Sequence, residues 1–283
     1  SQALKILTAD AEQGVAEAQF FLGVMYKEGQ GVSLDYNEAL KWYRLAAKQG
    51  YGAGKANIYR LAKYDTSQAL KILTSDAEQG VAEAQVMLGK MHEEGHHFPK
   101  NYIIAFNWYK RAATQGNVPG KLHLYKIAKK GVPKALKILI DDARRGVAQA
   151  QFHLGFMYKN GHQFPQDNDE AFRWYQLSAN QGYVHAQLHL GQMYEKGEAV
   201  PQNYDEAVRR YRFGAEIGIG EAQFRLGLMY YKGQGVPQDY VLADMWFILS
   251  SIRKIKEATK YRSLVENKMS PQQIEKAQLM ARN

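Results

Sequence analysis

No cysteine occurs in the 283 residues, which excludes disulfides and thiol catalysis and leaves the redox compartment open. No apolar run approaches the roughly 18 residues that suggest a membrane span. There is no Gly-x-Ser-x-Gly elbow, no phosphate-binding loop and no His-Glu-x-x-His pair, and serine is sparse in the columns that repeat. Hydrolytic and nucleotide chemistries therefore have no motif to rest on, and neither catalysis nor a cofactor is expected. The chain opens at Ser1 without an initiator methionine or a charged-then-apolar leader, which leaves open the removal of a targeting segment ahead of this numbering.

Acidic residues are scarce in one stretch. Residues 100–145 hold 11 basic and 2 acidic side chains, and the six lysines from Lys121 to Lys137 have no acid among them. The last 33 residues are also basic, and the formal net charge is +9. Lysines on exposed helix faces keep an array dissolved, and an acidic partner would meet these zones favourably.

What is present is repetition. Gly14, Gly50, Gly80, Gly116, Gly146, Gly182 and Gly218 recur at intervals of 36, 30, 36, 30, 36 and 36 residues, with matching neighbours around each. At this period each unit is a helical hairpin that cannot bury its apolar face alone, so neighbours stack. The expected organisation is one repeat domain over 1–283. It comprises a half repeat at 1–14, repeats at 15–50, 51–80, 81–116, 117–146, 147–182, 183–218 and 219–250, and a C-terminal cap at 251–283.

Within the long units, Ala18-Gln19, Ala84-Gln85, Ala150-Gln151, Ala186-Gln187 and Ala222-Gln223 are each followed by Leu-Gly, as at Leu22-Gly23. Ala18, Leu22, Met25 and Tyr26 share the apolar face of a first helix, A. A mid-helix glycine costs roughly 0.5–1 kcal/mol relative to alanine, so its recurrence predicts a close approach by a neighbour. Helix A should stop at Gly29, Gly95, Gly161, Gly197 and Gly233. Helix B then carries Trp42-Tyr43, Trp108-Tyr109, Trp174-Tyr175 and Trp246-Phe247, read as core wedges rather than a ligand platform.

Units 51–80 and 117–146 lose six residues from the turn, replaced by 63–65 or 129–131, and put Ile72 and Ile138 where tryptophan would stand. A smaller wedge then matches a shorter hairpin. Residues 3–11 read as a helix B whose first helix is trimmed or missing, an open end through which two arrays could associate. Ser270-Pro271-Gln272-Gln273 predicts an N-cap, a first-turn proline and a capping-box glutamine, opening a final capping helix from Ile274 to about Arg282.

The unit Ala-Glu-Ala-Gln-Phe…Leu-Gly…Met-Tyr…Gly-Gln-Gly-Val…Asp-Tyr…Glu-Ala…Lys-Trp-Tyr…Ala-Ala…Gln-Gly resembles the Sel1-like repeat, a relative of the tetratricopeptide repeat. The resemblance covers residues 15–250, the two short units departing from it. It implies an all-α, right-handed superhelical solenoid acting as a noncatalytic adaptor or scaffold in bacterial signalling, envelope assembly or host interaction. Export to the periplasm or beyond is common in the family, and helix A would line the concave surface.

Columns that stay constant between units serve stacking, and those that vary on helix A are free for binding. One variable column reads Phe21, Asn57, Met87, His123, His153, His189 and Arg225; the next reads Val24, Arg60, Lys90, Lys126, Phe156, Gln192 and Leu228. With His185, one turn before His189, the candidate stripe for a protein or peptide partner is Phe21, Val24, Arg60, Met87, Lys90, His123, Lys126, His153, Phe156, His185, His189, Gln192 and Arg225. Arg60, Lys90 and Lys126 would select acidic side chains. His153, His185 and His189 have a spacing that could hold a divalent metal, and His92, His96 and His97 with Glu93 and Glu94 form a second cluster, but it straddles Gly95. Both read as ordinary surface or turn residues, and no metal is assigned. The rival functions are a nucleic-acid-binding solenoid, disfavoured because Phe21, Met87 and Phe156 interrupt any polar base-reading column, and a cell-wall hydrolase, for which no site residues exist.

Overall fold

In every long unit helix B starts where an aspartate or asparagine side chain takes over amide protons that have no partner within the helix. Asp35 Oδ1 accepts from the amides of Asn37 (2.8 Å) and Glu38 (3.0 Å), and Asn101 holds those of Ile103 and Ile104 in the same way. Helix A ends on a left-handed glycine, as at Gly29. The computed structural model describes residues 2–64 and 66–282; Ser1, Asn283 and Asp65 of the shortened 63–65 connection lie outside the described residues.

Among the described residues there are helices and no strand. After α1 (Gln2–Glu12), A and B helices alternate as α2 (Ala16–Glu28) and α3 (Tyr36–Lys48), α4 (Gly52–Leu61) and α5 (Ser67–Glu78), α6 (Ala82–Glu94) and α7 (Tyr102–Thr114), α8 (Val118–Ala128) and α9 (Pro133–Arg144). They continue as α10 (Ala148–Asn160) and α11 (Asn168–Asn180), α12 (Val184–Lys196) and α13 (Tyr204–Glu216), α14 (Gly220–Lys232) and α15 (Tyr240–Ile252), α16 (Lys256–Glu266) and α17 (Pro271–Arg282). Packing separates two compact units, Ser1–Leu136 and Lys137–Asn283, with the boundary inside α9.

Two kinds of glycine recur for different reasons. Gly50, in the turn after helix B, has φ +81° and nothing near the place a Cβ would take, so its backbone angle is what demands glycine. Gly89, inside helix A, has ordinary helical angles, but a Cβ there would lie 2.6 Å from the ring of Tyr109. The neighbour that approaches helix A is thus the helix-B tyrosine of the same hairpin. Tyr43, Tyr109, Tyr175, Tyr211 and Phe247 are fully buried; of the tryptophans Trp42 is buried too, while Trp108, Trp174 and Trp246 are only half-buried. The wedge common to these hairpins is the tyrosine or phenylalanine.

The glutamine of the Ala-Gln pair joins three helices. Gln85 Nε2 donates to the carbonyl of Ala77 at the end of α5 (3.0 Å), and Gln85 Oε1 accepts from Gln115 Nε2 at the end of α7 (2.9 Å). Gln19 and Gln151 repeat the pattern, each in its own unit. Buried amides satisfied on both ends hold one hairpin in register on the next.

The C-terminal region holds two helices where one was expected. Ser270 and Gln273 form the reciprocal capping box, and α17 packs on α15. Before it, α16 fills the place of a further helix A, with Ala258 buried in the alanine column. It carries neither Ala-Gln nor Leu-Gly, so the repeat pattern does not reveal it.

Two stability predictions follow from these contacts. Gly89→Ala should cost about 1–3 kcal/mol in denaturant unfolding because the ring of Tyr109 cannot retreat from a packed interior. Gly52→Ala, at an exposed first-turn position with no atom near the added methyl, should be neutral or stabilise by about 0.4–1 kcal/mol. Equal effects would mean that Gly89 is not a close-packing site.

Asp244 is fully buried on α15, where other units have Leu40, Phe106, Phe172 or Val208. Burial pushes its carboxyl up to about 6, against the opposing pull of Arg262, 3.5 Å away. The folded chain holds this proton more tightly than the unfolded one, so its contribution is greatest below pH 4 and is lost as pH rises through 6. Asp244→Asn should therefore gain on the wild type by on the order of 1–3 kcal/mol between pH 4 and 7. A difference constant over that range in unfolding measurements would exclude titration of Asp244.

Candidate functional site

Helix A alternates between residues turned to the tyrosine wedge and residues turned outward, so the chemistry of its outer stripe depends on what surrounds each tyrosine hydroxyl. Each site combines three positions: the twelfth after the start of one unit, the helix-B tyrosine, and a residue of the next helix A.

In the first unit, Tyr109 donates its hydroxyl proton to Glu93 Oε2 (2.6 Å), and the ring of His123 stacks on it with centroids 4.7 Å apart. His123 Nδ1 is 3.8 Å from the same carboxylate. His123 and the Tyr109 hydroxyl hold the Glu93 carboxyl below its usual range, while burial and the carboxylate push the Tyr109 phenol well up. In the second unit, Tyr211 donates to Glu195 Oε2 (2.5 Å) and Arg225 Nη1 stands 3.5 Å from that oxygen. Arg225 Nε also pairs with Glu221 at 2.9 Å.

Two sites depart from this. At Tyr43 and Tyr175 the twelfth position is Lys27 or Lys159, and both hydroxyls are buried without a hydrogen-bond partner among the described residues. His189 lies flat on Tyr175, centroids 5.1 Å apart at 19°. A fifth site, Tyr231, Phe247 and Tyr261, is closed by aromatic contacts.

The expected stripe is distributed between the two units as follows. In the first, Phe21 is 46% exposed and edge-on to Phe20, while Arg60 and Lys126 are exposed. Val24 and Met87 are half-buried against the hydrophobic core, and Lys90 is half-buried. Asn57 of the same column is buried and its amide donates to the carbonyl of Ala53. In the second unit His185 is exposed and His153, Phe156, His189, Gln192 and Arg225 are half-buried.

Phe152, outside the expected stripe, draws several of these together. Its ring is 5.3 Å from His153, 5.4 Å from His189 and 5.9 Å from His185, and Phe156 lies 6.3 Å from His189. Phe152 belongs to the column Phe20, Val86, Phe152, Leu188 and Phe224, which is apolar in every long unit and so carries no sign of a site. Among the described residues no group of three or more histidine or acidic side chains is arranged to hold a metal ion. A cleft of about 690 Å³ in the first unit, between Tyr36, Lys63, Tyr64, His96 and His97, includes no stripe residue. No helix among the described residues is long and apolar enough to cross a membrane.

A family profile described as the Sel1 repeat matches residues 16–51, 82–117, 148–183, 184–217 and 220–251, passing over the two short units. The chain is 29% identical over 205 residues to chitin synthase regulatory factor 3 of Schizosaccharomyces pombe, covering 64% of this chain and 22% of that protein. It is 30% identical over 184 residues to an uncharacterized protein of Neisseria meningitidis serogroup B, covering 62% of this chain and 38% of the other. The chain thus spans well under half the length of these curated relatives. A crystal structure of a Sel1 repeat protein from Oxalobacter formigenes superposes with a TM-score of 0.59 at 26% identity, covering 93% of this chain and 80% of that one.

Burial pushes the His189 imidazole down to about 4, with His185 and Lys159 acting in the same direction. Its neutral form is therefore the folded form, and the stability this contributes is present above pH 6.5 and lost as pH falls towards 4. Proton NMR should show His189 uncharged at pH 5.5, and His189→Leu should flatten the loss of stability between pH 6.5 and 4.5. Titration of His189 near 6.5 would exclude the buried stack.

Proposed function

The chain belongs to the Sel1 repeat family, whose members are generally protein-interaction scaffolds, and from that premise we propose that each of its two units presents the outer stripe of its A helices to a protein or peptide partner, without catalysis. In the first unit the surface is Phe21, Val24, Arg60, Met87, Lys90, His123 and Lys126; in the second it is His153, Phe156, His185, His189, Gln192 and Arg225.

The observation that carries this reading is the contrast between columns. Gly, Tyr, Gln and Ala recur because each meets a fixed neighbour, while the stripe columns change from phenylalanine to imidazole to guanidinium on the same helix position. Exposed Phe21, with Arg60 and Lys126 exposed in the same unit, supplies the aromatic and cationic anchors that protein interfaces favour. Exposed Arg60 and Lys126 suit an acidic partner. The regulatory names of relatives such as the fission-yeast factor accord with a role exerted through binding.

The test is capture of partners from source-cell extracts, identification by mass spectrometry, and measured affinity for each. Two variants with unchanged helical content serve as comparators: Phe21→Ala, Arg60→Glu, Lys126→Glu for the first unit, and Phe156→Ala, His185→Ala, Gln192→Ala for the second. A partner should bind at least tenfold more weakly to one of them. Equal affinity of every partner for the wild type and both variants would overturn the stripe as the interaction surface.

A further inference from the structure

The repeats serve as controls for one another. A tyrosine hydroxyl buried in the same place of each hairpin needs an acceptor, and at Tyr109 and Tyr211 the chain supplies a glutamate from its own helix A. At Tyr175 the glutamate position holds Lys159, and the hydroxyl has no hydrogen-bond partner among the described residues although Tyr175 is completely buried. The exchange removes the acceptor and adds a cation.

We propose that Lys159, Tyr175 and His189 form a carboxylate-binding site, which takes an aspartate or glutamate side chain of the partner in the place Glu93 and Glu195 occupy in the neighbouring hairpins. This specifies the ligand chemistry of the surface proposed above, and it rests on that reading for its partner.

Tyr175 and Lys159 would supply the donors. The Tyr175 hydroxyl offers one proton. Lys159 spends two of its three N–H groups on Glu198 and on Asn168 Oδ1 (3.1 Å), which leaves one. His189 stacks on the Tyr175 ring and lies close enough to Lys159 for that charge to oppose its own protonation. Phe152 and Phe156 flank the imidazole and lower the local polarity, which strengthens any charged hydrogen bond formed there.

The equivalent place is partly open to solvent in the neighbouring hairpins. The carboxylates that fill the equivalent place are reached by solvent, Glu93 being 23% and Glu195 15% exposed along the side chain. An incoming carboxylate would occupy that partly open position rather than the closed interior. The first unit carries the same exchange at Lys27 and Tyr43, where burial and the nearby Glu28 raise the phenol to about 12 and Arg60 pulls it the other way.

The site can be tested without any partner protein. Isothermal titration with acetylated, amidated tetraglutamate, and with tetraglutamine as control, would be run on the wild type and on Tyr175→Phe, Lys159→Glu and Glu198→Gln. Phenylalanine and glutamate already stand in these columns as Phe247, Glu93 and Glu195, so both changes are compatible with the hairpin. Lys27→Glu in every protein silences the equivalent site of the first unit. Saturable binding of tetraglutamate alone is expected. It should weaken about tenfold in Tyr175→Phe, disappear in Lys159→Glu, where the chain supplies its own carboxylate, and tighten in Glu198→Gln, which frees a donor of Lys159. No saturable binding by the wild type, or equal binding by Tyr175→Phe and Lys159→Glu, would overturn the site. If tetraglutamate binds as described while no protein partner depends on the stripe, the scaffold reading fails and the carboxylate site stands.

Discussion

The contact on which the rest of this structure depends is a tyrosine ring laid against a bare stretch of helix backbone. A glycine one turn past the Ala-Gln pair removes the methyl that would otherwise lie under 3 Å from the ring, at Gly23, Gly89, Gly155 and Gly191, and at Gly227 for Phe247. Helix A pays a propensity cost for each glycine, which the buried aromatic surface more than offsets. Because the two helices of a hairpin can then approach closely, the glutamine on the same helix A comes within reach of the carbonyl at the end of the preceding helix B. Stacking of one hairpin on the next follows from packing inside each hairpin.

That geometry has a chemical consequence. A tyrosine is large enough for the wedge but brings a hydroxyl in among packed side chains, and a buried hydroxyl without a partner costs about 1–3 kcal/mol. The chain meets this demand differently at each site: a glutamate with His123 or Arg225 beside it, an aromatic cluster around Phe247 that has no hydroxyl in the wedge, or a lysine that leaves Tyr43 and Tyr175 unsatisfied. Packing is uniform while polarity is not, and the non-uniform groups lie beside the variable stripe of helix A.

Much of the fold was legible from the chain alone because a repeated sequence reports its own constraints. The turn glycines, the helix-A stops and the capping box at Ser270 all appeared where local backbone rules place them. α16 did not, because Ala258 retains the buried alanine while every other marker of helix A has been replaced in a helix that ends the stack. The sequence pattern makes both aromatics of each pair wedges, and Trp42 and Tyr43 are both buried, yet Trp108 packs at the margin under Arg111 while Tyr109 fills the interior. Volume is visible in a sequence; which of two adjacent aromatics faces inward depends on the angle between packed helices.

The sequence by itself determined the class of the molecule, the length of its helices and the columns that stack, because these rest on periodicity, backbone angles and hydrophobicity, which act over a few residues. Only the tertiary structure decided which polar groups find each other. Glu93 meets Tyr109 sixteen residues away and Lys159 meets Glu198 thirty-nine residues away, and whether a lysine, a glutamate and a buried phenol lie together depends on the position of neighbouring helices to within an ångström. Hydrogen bonds and desolvation are that short in range, so the residues with unspent donors became visible only when the hairpins were packed.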